Sequence, residues 1–191
     1  MESKSTLESR RLPKFSPPGF SEETITAYVY QSNYIEGIVP SHHGPGDPLF
    51  DQHVDAVRAV LDGVWRPATL HAILMNGLMV KDHVGQYRTE NVWIGGKLAP
   101  HWAGVPFRMK DWEHMVSRGP NANETEKWAW RMHDHFECIH PFMDGNGRTG
   151  RLVLNALRLG QDLPWITIHI GEEQMAYYDH IAHYRDTIFV P

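Results

Sequence analysis

The sequence predicts a mainly α-helical domain with a small β-hairpin flap. Apolar residues recur at spacings of three and four through most of the 191-residue chain, and Ser, Pro and Asn stand where helices would begin. Only two segments break that pattern.

The first 20 residues are polar and punctuated by prolines, which suits a flexible N-terminal arm. Ser21 can cap a first helix running to about Ile35. Ser41 to Asp47 is a Gly- and Pro-rich loop, Pro48 can start a second helix ending near Gly63, and Pro67 a third through about Val80. Tyr87 to Lys97 breaks the helical period: its Val92-Trp93-Ile94 stretch is β-prone and is closed by Gly95-Gly96, so it predicts a projecting hairpin. Lys110 to Arg118 reads as a fourth helix. Asn121 or Asn123 can cap a fifth, whose apolar positions are Trp128, Met132, Phe136 and Ile139, and Pro141 stops it. A sixth runs from Arg148 to about Leu159 and ends at Gly160. Trp165 to Ile170 alternates and suggests a short strand before a seventh helix, Glu172 to Phe189.

Composition narrows the function classes. With 41% hydrophobic and 21% charged residues the chain reads as one globular domain. Its 18 Lys+Arg against 23 Asp+Glu give a net charge of −5, which argues against broad electrostatic capture of nucleic acid or an anionic membrane. Any phosphate chemistry must come from a local basic site. The single cysteine, Cys138, excludes an intramolecular disulfide framework and fits a reducing compartment. The N-terminus has no apolar signal region. The longest apolar-rich stretch, Leu70 to Val80, is interrupted by His71, Asn76 and Gly77, so a soluble, cytoplasmic protein is expected.

One segment carries the chemistry. His140-Pro-Phe-Met-Asp-Gly-Asn-Gly-Arg-Thr-Gly-Arg151 joins a potential base, a carboxylate, a Gly-Asn-Gly turn and two arginines between two helices. Without Cβ atoms, Gly145 and Gly147 let an anion approach the backbone closely. The following helix offers its unpaired first N–H groups and the positive end of its dipole. Arg148 and Arg151, three apart, share a helix face, and Asn155 and Arg158 continue the polar stripe. Leu152, Val153, Ala156 and Leu157 form the opposite face, so the helix is expected to bury one side and present guanidinium groups on the other. Two arginines beside a nest of amides point to a polyphosphate. His140 is placed to deprotonate an attacking hydroxyl, and Asp144 to bind Mg²⁺ together with phosphate oxygens.

Two other readings fail on context. Gly145-Asn-Gly147-Arg-Thr-Gly150 satisfies a dinucleotide-binding fingerprint, and Glu172 follows at a plausible distance, but the preceding segment is helical in period where a buried strand is required. The 13 histidines contain no His-Glu-x-x-His pair, and His133 and His135, two apart, leave a helix on different sides. His133 is assigned either to the cleft wall or to packing.

The segment resembles the Fic family, the Fic/Doc or Fido-fold proteins. Its signature, His-x-Phe-x-Asp/Glu-Gly-Asn-Gly-Arg-x-x-Arg, is matched at every fixed position by His140, Phe142, Asp144, Gly145, Asn146, Gly147, Arg148 and Arg151. Tyr87-Arg88 before the flap, Leu163-Pro164 and Tyr177-Tyr178 are similar in context. The resemblance covers about Pro48 to the C-terminus and implies a catalytic core over 48–191. It implies transfer of AMP from ATP to a hydroxyl of a target protein, with pyrophosphate leaving. His140 would be the general base and Asp144 the Mg²⁺ ligand. Gly145, Asn146 and Gly147 would bind phosphate oxygens, Arg148 the β-phosphate and Arg151 the γ-phosphate, with Tyr177 and Tyr178 on the nucleotide side. Val92, Trp93 and Ile94 would dock an extended target segment by edge hydrogen bonds.

A second match lies upstream. Ser32-Asn-Tyr-Ile-Glu36-Gly37 resembles the family's inhibitory motif, which makes 21–37 an inhibitory helix whose Glu36 would pair with Arg151 and remove the γ-phosphate ligand. A glutamate at a helix C-terminus opposes the dipole, so a nearby cation favours it. The expected partners are ATP and a target protein, with a homo-oligomer possible. The same fold acting to remove AMP or to transfer another phosphate-containing group is the alternative.

Overall fold

The structure, a computed structural model, describes residues 12–15, 17, 20–39, 41–121 and 123–189. Its helices are α1 (Glu22–Ile35), α2 (Pro48–Leu61), α3 (Pro67–Leu74), α4 (Val105–Arg118), α5 (Thr125–Ile139), α6 (Asn146–Leu159) and α7 (Glu172–Thr187). A two-stranded antiparallel hairpin, β1 (Trp93–Ile94) and β2 (Lys97–Leu98), lies between α3 and α4. No helix among the described residues is long and apolar enough to cross a membrane.

Helix α6 is the axis of the molecule. It packs against α1, α2, α3 and α5, and every residue from Arg148 to Leu159 is buried. The expected solvent-facing stripe of guanidinium groups is therefore corrected: the polar residues of α6 are buried, and Asn155 and Arg158 are hydrogen-bonded there. Arg158 donates to the Pro164 carbonyl at 3.0 Å and to Glu126 at 2.9 Å. The side-chain amide of Asn155 donates to the Ile166 carbonyl and accepts the Ile166 N–H. That pair of bonds explains why Trp165 to Ile170 is not a strand here. An asparagine side chain occupies the backbone groups that a neighbouring strand would take.

Element boundaries follow local chemistry. Ser21 caps α1 through a capping box with Thr24, Asp47 caps α2, and Pro48 and Pro67 sit in first turns, where their missing N–H is harmless. Helix α3 stops at Leu74, short of Val80, because Met75 to Leu78 form a turn with Gly77 at φ +73°. Helix α4 begins at Val105, ahead of the expected Lys110, with Pro106 in its first turn. Neither Asn121 nor Asn123 caps α5; Glu124 precedes it, and Asn121 donates to the Glu124 carboxylate. Helix α7 ends at Thr187. Part of the expected arm is docked. Leu12 and Phe15 donate to the carbonyls of Gly63 and Leu61 at 3.0 and 2.8 Å, while residues 1–11, 16, 18 and 19 lie outside the described residues.

A small second apolar cluster, Ile35, Ile168, Tyr177 and Ile181, seats the end of α1 against α7. It sets where the residues just after α1 fall, which is over the start of α6.

Candidate active site

The α5–α6 loop is built around Phe142. This ring is fully buried, stacks on His71 at a centroid distance of 3.9 Å, and has Tyr87 and Phe136 at 6.0 and 6.3 Å. The Asn146 side chain closes the loop on itself, accepting the Phe142 N–H and donating to the Phe142 carbonyl, both at 2.8 Å. Asn146, expected on phosphate oxygens, thus has its amide turned inward, and what it offers an anion is its backbone N–H. Gly145 enters α6 at φ +73°, a left-handed conformation that suits glycine, and a Cβ there would press on Met75 Sδ at 2.8 Å.

His140 caps α5 in the left-handed region, at φ 52° and ψ 64°. For a residue with a Cβ this conformation costs about 1–2 kcal/mol and must be held from outside. Arg88 holds it. The Arg88 side chain, 1% exposed, donates Nε to the His140 carbonyl at 2.8 Å and its other nitrogens to the carbonyls of Glu90, Pro100 and Ile139, while its backbone N–H meets the Pro141 carbonyl. One buried guanidinium therefore ties the base of the flap to the residue expected to act as base.

The orientation of His140 follows from its partners. Nδ1 faces the Glu137 carbonyl at 3.2 Å, and a carbonyl only accepts, so the proton sits on Nδ1 and Nε2 keeps its lone pair. Burial holds the imidazole at about 4, neutral near pH 7. His71 is fixed in the same manner: Nδ1 accepts the Gly85 N–H and Nε2–H donates to the Asp144 carbonyl, with burial holding it at about 4.

At the start of α6 the N–H groups of Asn146, Gly147 and Arg148 precede the first intrahelical bond, which runs from Thr149 to Gly145. Arg148 stands beside them, 3% exposed, with one contact from Nη2 to Met75 Sδ at 3.5 Å; Nε and Nη1 have no partner among the described residues. Asp144 is exposed, with Oδ1 accepting the Gly145 N–H at 2.6 Å. Among the described residues no cluster of three or more metal-binding side chains occurs.

Arg151 is occupied. Its Nη2 donates to Glu36 Oε1 and to the Ser32 carbonyl, each at 2.8 Å, and its Nε to Ser32 Oγ at 3.0 Å. The Glu36 carboxylate lies over Gly147, where an added Cβ would overlap Oε1. Tyr177 and Tyr178, expected on the nucleotide side, both hydrogen-bond within the protein. Tyr177 is buried, its hydroxyl donates to His133 Nε2, and its ring lies 6.0 Å from the Arg151 guanidinium. Tyr178 is 41% exposed and its hydroxyl donates to the Ile35 carbonyl, the last of α1. His133, whose Nδ1–H meets the Gly150 carbonyl at 3.0 Å, is a packing residue behind Arg151.

In the flap, Trp93 pairs with Leu98 and Ile94 with Lys97 across Gly95-Gly96, both at positive φ as a tight hairpin turn demands. Val92 accepts the Ala99 N–H at 2.9 Å. Trp93 is 69% exposed and Leu98 55%. Sequence reasoning noted Arg88 and His71 only as context, and their roles depend on partners about 50 and 70 positions away.

Residues 68–157 match the family model described as Fic/DOC family. A protein adenylyltransferase Fic of Drosophila mojavensis is 33% identical over 118 residues, covering 59% of this chain and 23% of that protein. One of Nematostella vectensis is 30% identical over 209 residues, covering 92% of this chain and 48% of the relative. The chain thus spans about a quarter to about half the length of these relatives. A Fic domain containing signaling protein of Bacteroides thetaiotaomicron superposes with a TM-score of 0.69 at 18% identity, covering 88% of this chain and 74% of that one, a likeness of fold. A Fic family protein of Desulfovibrio desulfuricans gives 0.59 at 27% identity, covering 86% and 54%. The family match spans α3 through most of α6, and the loop from His140 to Arg151 lies inside it, so this part of the chain is similar to Fic/DOC family proteins.

Proposed function

We propose that this chain is a protein adenylyltransferase, moving AMP from ATP to a hydroxyl side chain of a target protein, and that Glu36 holds it in check. The observation that carries the reading is Arg148. A buried guanidinium with two unpartnered nitrogens, set beside unpaired N–H groups at a helix start, is a cation arranged for an anion from outside the chain. Arg151 faces the same place, and two forked cations suit a polyphosphate.

The acceptor oxygen attacks the α-phosphorus, the bond to the β-phosphate bridging oxygen breaks, and pyrophosphate leaves. The hydroxyl proton passes to His140 Nε2, the nitrogen its hydrogen bonding leaves bare. Arg148 and the α6 amides stabilise charge on the departing phosphates, a task of positioning and electrostatics. Asp144 fits a magnesium ion, since it is exposed, its Oδ2 forms no hydrogen bond among the described residues, and Mg²⁺ binds through one carboxylate plus phosphates. When bound, that ion supplies charge neutralisation at the phosphates. Val92, Trp93 and Ile94 present an edge and an exposed ring for the target segment.

Glu36 opposes this by occupying Arg151 and the space over Gly147, so a γ-phosphate finds its ligand taken. Transfer of label from ATP radioactive at the α position tests both claims in a lysate. Glu36→Gly is expected to raise labelling about tenfold or more, and His140→Ala in that background to abolish it. No gain from the first or no loss from the second overturns the assignment. Label delivered from the γ position would mark phosphate transfer, and release of AMP from a premodified protein would mark the reverse activity.

A further inference from the structure

Glu137 lies in the last turn of α5, three residues before His140, and nothing in adenylyl transfer as described uses its side chain. The residue is 5% exposed and its Oε1 finds no hydrogen-bond partner among the described residues. Oε2 stands 3.9 Å from His140 Nδ1, the nitrogen that also faces the Glu137 carbonyl at 3.2 Å. Helix α6 makes room for this carboxyl. A Cβ on Gly150 would overlap Glu137 Oε1, so a glycine stands in the interior of a buried helix where alanine would otherwise be favoured. A buried carboxyl with an unmatched oxygen is unfavourable unless some state of the protein uses it.

We propose that Glu137 is the positioning residue of His140, its carboxylate matching the positive charge that forms on the imidazole when Nε2 takes the acceptor's proton. The proposal rests on the reading of His140 as general base. In the step, the proton leaves the hydroxyl and lands on Nε2. The ring then carries Nδ1–H toward the Glu137 carbonyl and carboxylate, and no proton passes to Glu137.

The surroundings set when the carboxylate is available. Arg151 on α6 favours ionisation, whereas Glu36 after α1 and Asp134 on α5 oppose it; Tyr177 on α7, Cys138 on α5 and His140 are its other titratable neighbours, and His140 itself is faced by Glu36, by Arg88 before the flap and by Asp144 in the α5–α6 loop. Burial outweighs them and pushes the carboxyl up to about 8. The carboxyl gives up its proton near that value and the imidazole takes one only in acid, at about 4, and at this distance each group senses the other's charge. The fully competent form of the pair, neutral imidazole beside carboxylate, gains population as pH rises through about 8.

Imidazole NMR on the whole chain without substrate tests the pairing, with the His140 signal identified by its loss in His140→Ala. The wild-type ring is expected to show a titration step near 8 that vanishes in the isosteric Glu137→Gln. A His140 titration curve that is the same in both proteins overturns the proposal, whatever the activity. In the Glu36→Gly background, α-label transfer should rise over the same pH range. Glu137→Gln should flatten that limb and lower kcat about tenfold or more at unchanged KM for ATP. Gly150→Ala keeps the carboxyl but displaces it and should reproduce the flattening; it also serves if Glu137→Gln does not fold. A loss carried by KM with the pH limb intact would mark Glu137 as mere packing and refute the inference. If the NMR step is present while Glu36→Gly transfers no α-label, the adenylyl-transfer reading fails and the pair stands.

Discussion

Arg88 shows how much of this site rests on residues outside its signature. Its side chain donates to four carbonyls and fixes His140 in a conformation that a residue with a Cβ adopts reluctantly. Removing it leaves several buried carbonyls unpaired at once. Arg88→Ala is therefore expected to destabilise the fold by about 3 kcal/mol or more in urea unfolding, and Arg88→Lys to recover only part, because an ammonium cannot fork between carbonyls. A change under about 1 kcal/mol for the alanine variant would refute this role. The signature residues themselves were legible because their chemistry is local: base, glycines and arginines lie within twelve positions. Arg88, His71 and Glu137 were not, since each acquires meaning from a partner that only folding brings near or from the depth of its burial. The same limit explains Asn146, whose type was read correctly as part of the loop while its amide turned inward to Phe142.

Among the elements, the flap is the least embedded. Its two short strands are tied to α7 by Lys97 with Asp186 at 2.7 Å and by Arg185 donating to the Ile94 carbonyl at 3.1 Å. Exposed ion pairs contribute about 0–1 kcal/mol, so this tie governs the flap's local opening and not the stability of the whole. Asp186→Ala should accelerate hydrogen exchange of the Ala99 amide, which bonds Val92 across the hairpin, while shifting global stability by less than about 1 kcal/mol. Unchanged exchange would show that the hairpin holds itself. The contrast with Trp165 to Ile170 is instructive. Both segments have strand-like sequences, but one has a Gly-Gly turn that folds it onto itself, whereas the other meets the Asn155 amide and never pairs.

Over the whole molecule, buried histidines set the response to pH. Burial holds His71 and His140 at about 4 and His133 at about 3, and His53 well below its usual value. Unfolded histidines bind protons near ~6.5, so the unfolded chain takes up more protons as pH falls through that value, and stability is lost on the way to about 4. Asp134 at about 6 and Glu137 at about 8 act in the opposite sense, because the folded chain keeps protons that the unfolded one has released, and stability falls as pH rises toward those values. Five histidines, His135 included, outweigh two acids below about 6, and above ~7 the loss from Glu137 dominates. The thermal midpoint should thus peak near pH ~6.5 to 7, fall steeply toward pH ~5 and gently toward ~8; a midpoint flat between ~5 and ~7 would contradict it. The sequence by itself determined the helical class and the Fic-type loop, since periodicity, glycine placement and motif spacing are short-range properties, while the pairing of Glu36 with Arg151 was expected only from a family resemblance. Tertiary structure alone decided that α6 is buried on every side, that two Arg148 nitrogens have no partner among the described residues, and that Glu137 faces His140, because burial and orphaned hydrogen bonds arise only when distant segments exclude water together.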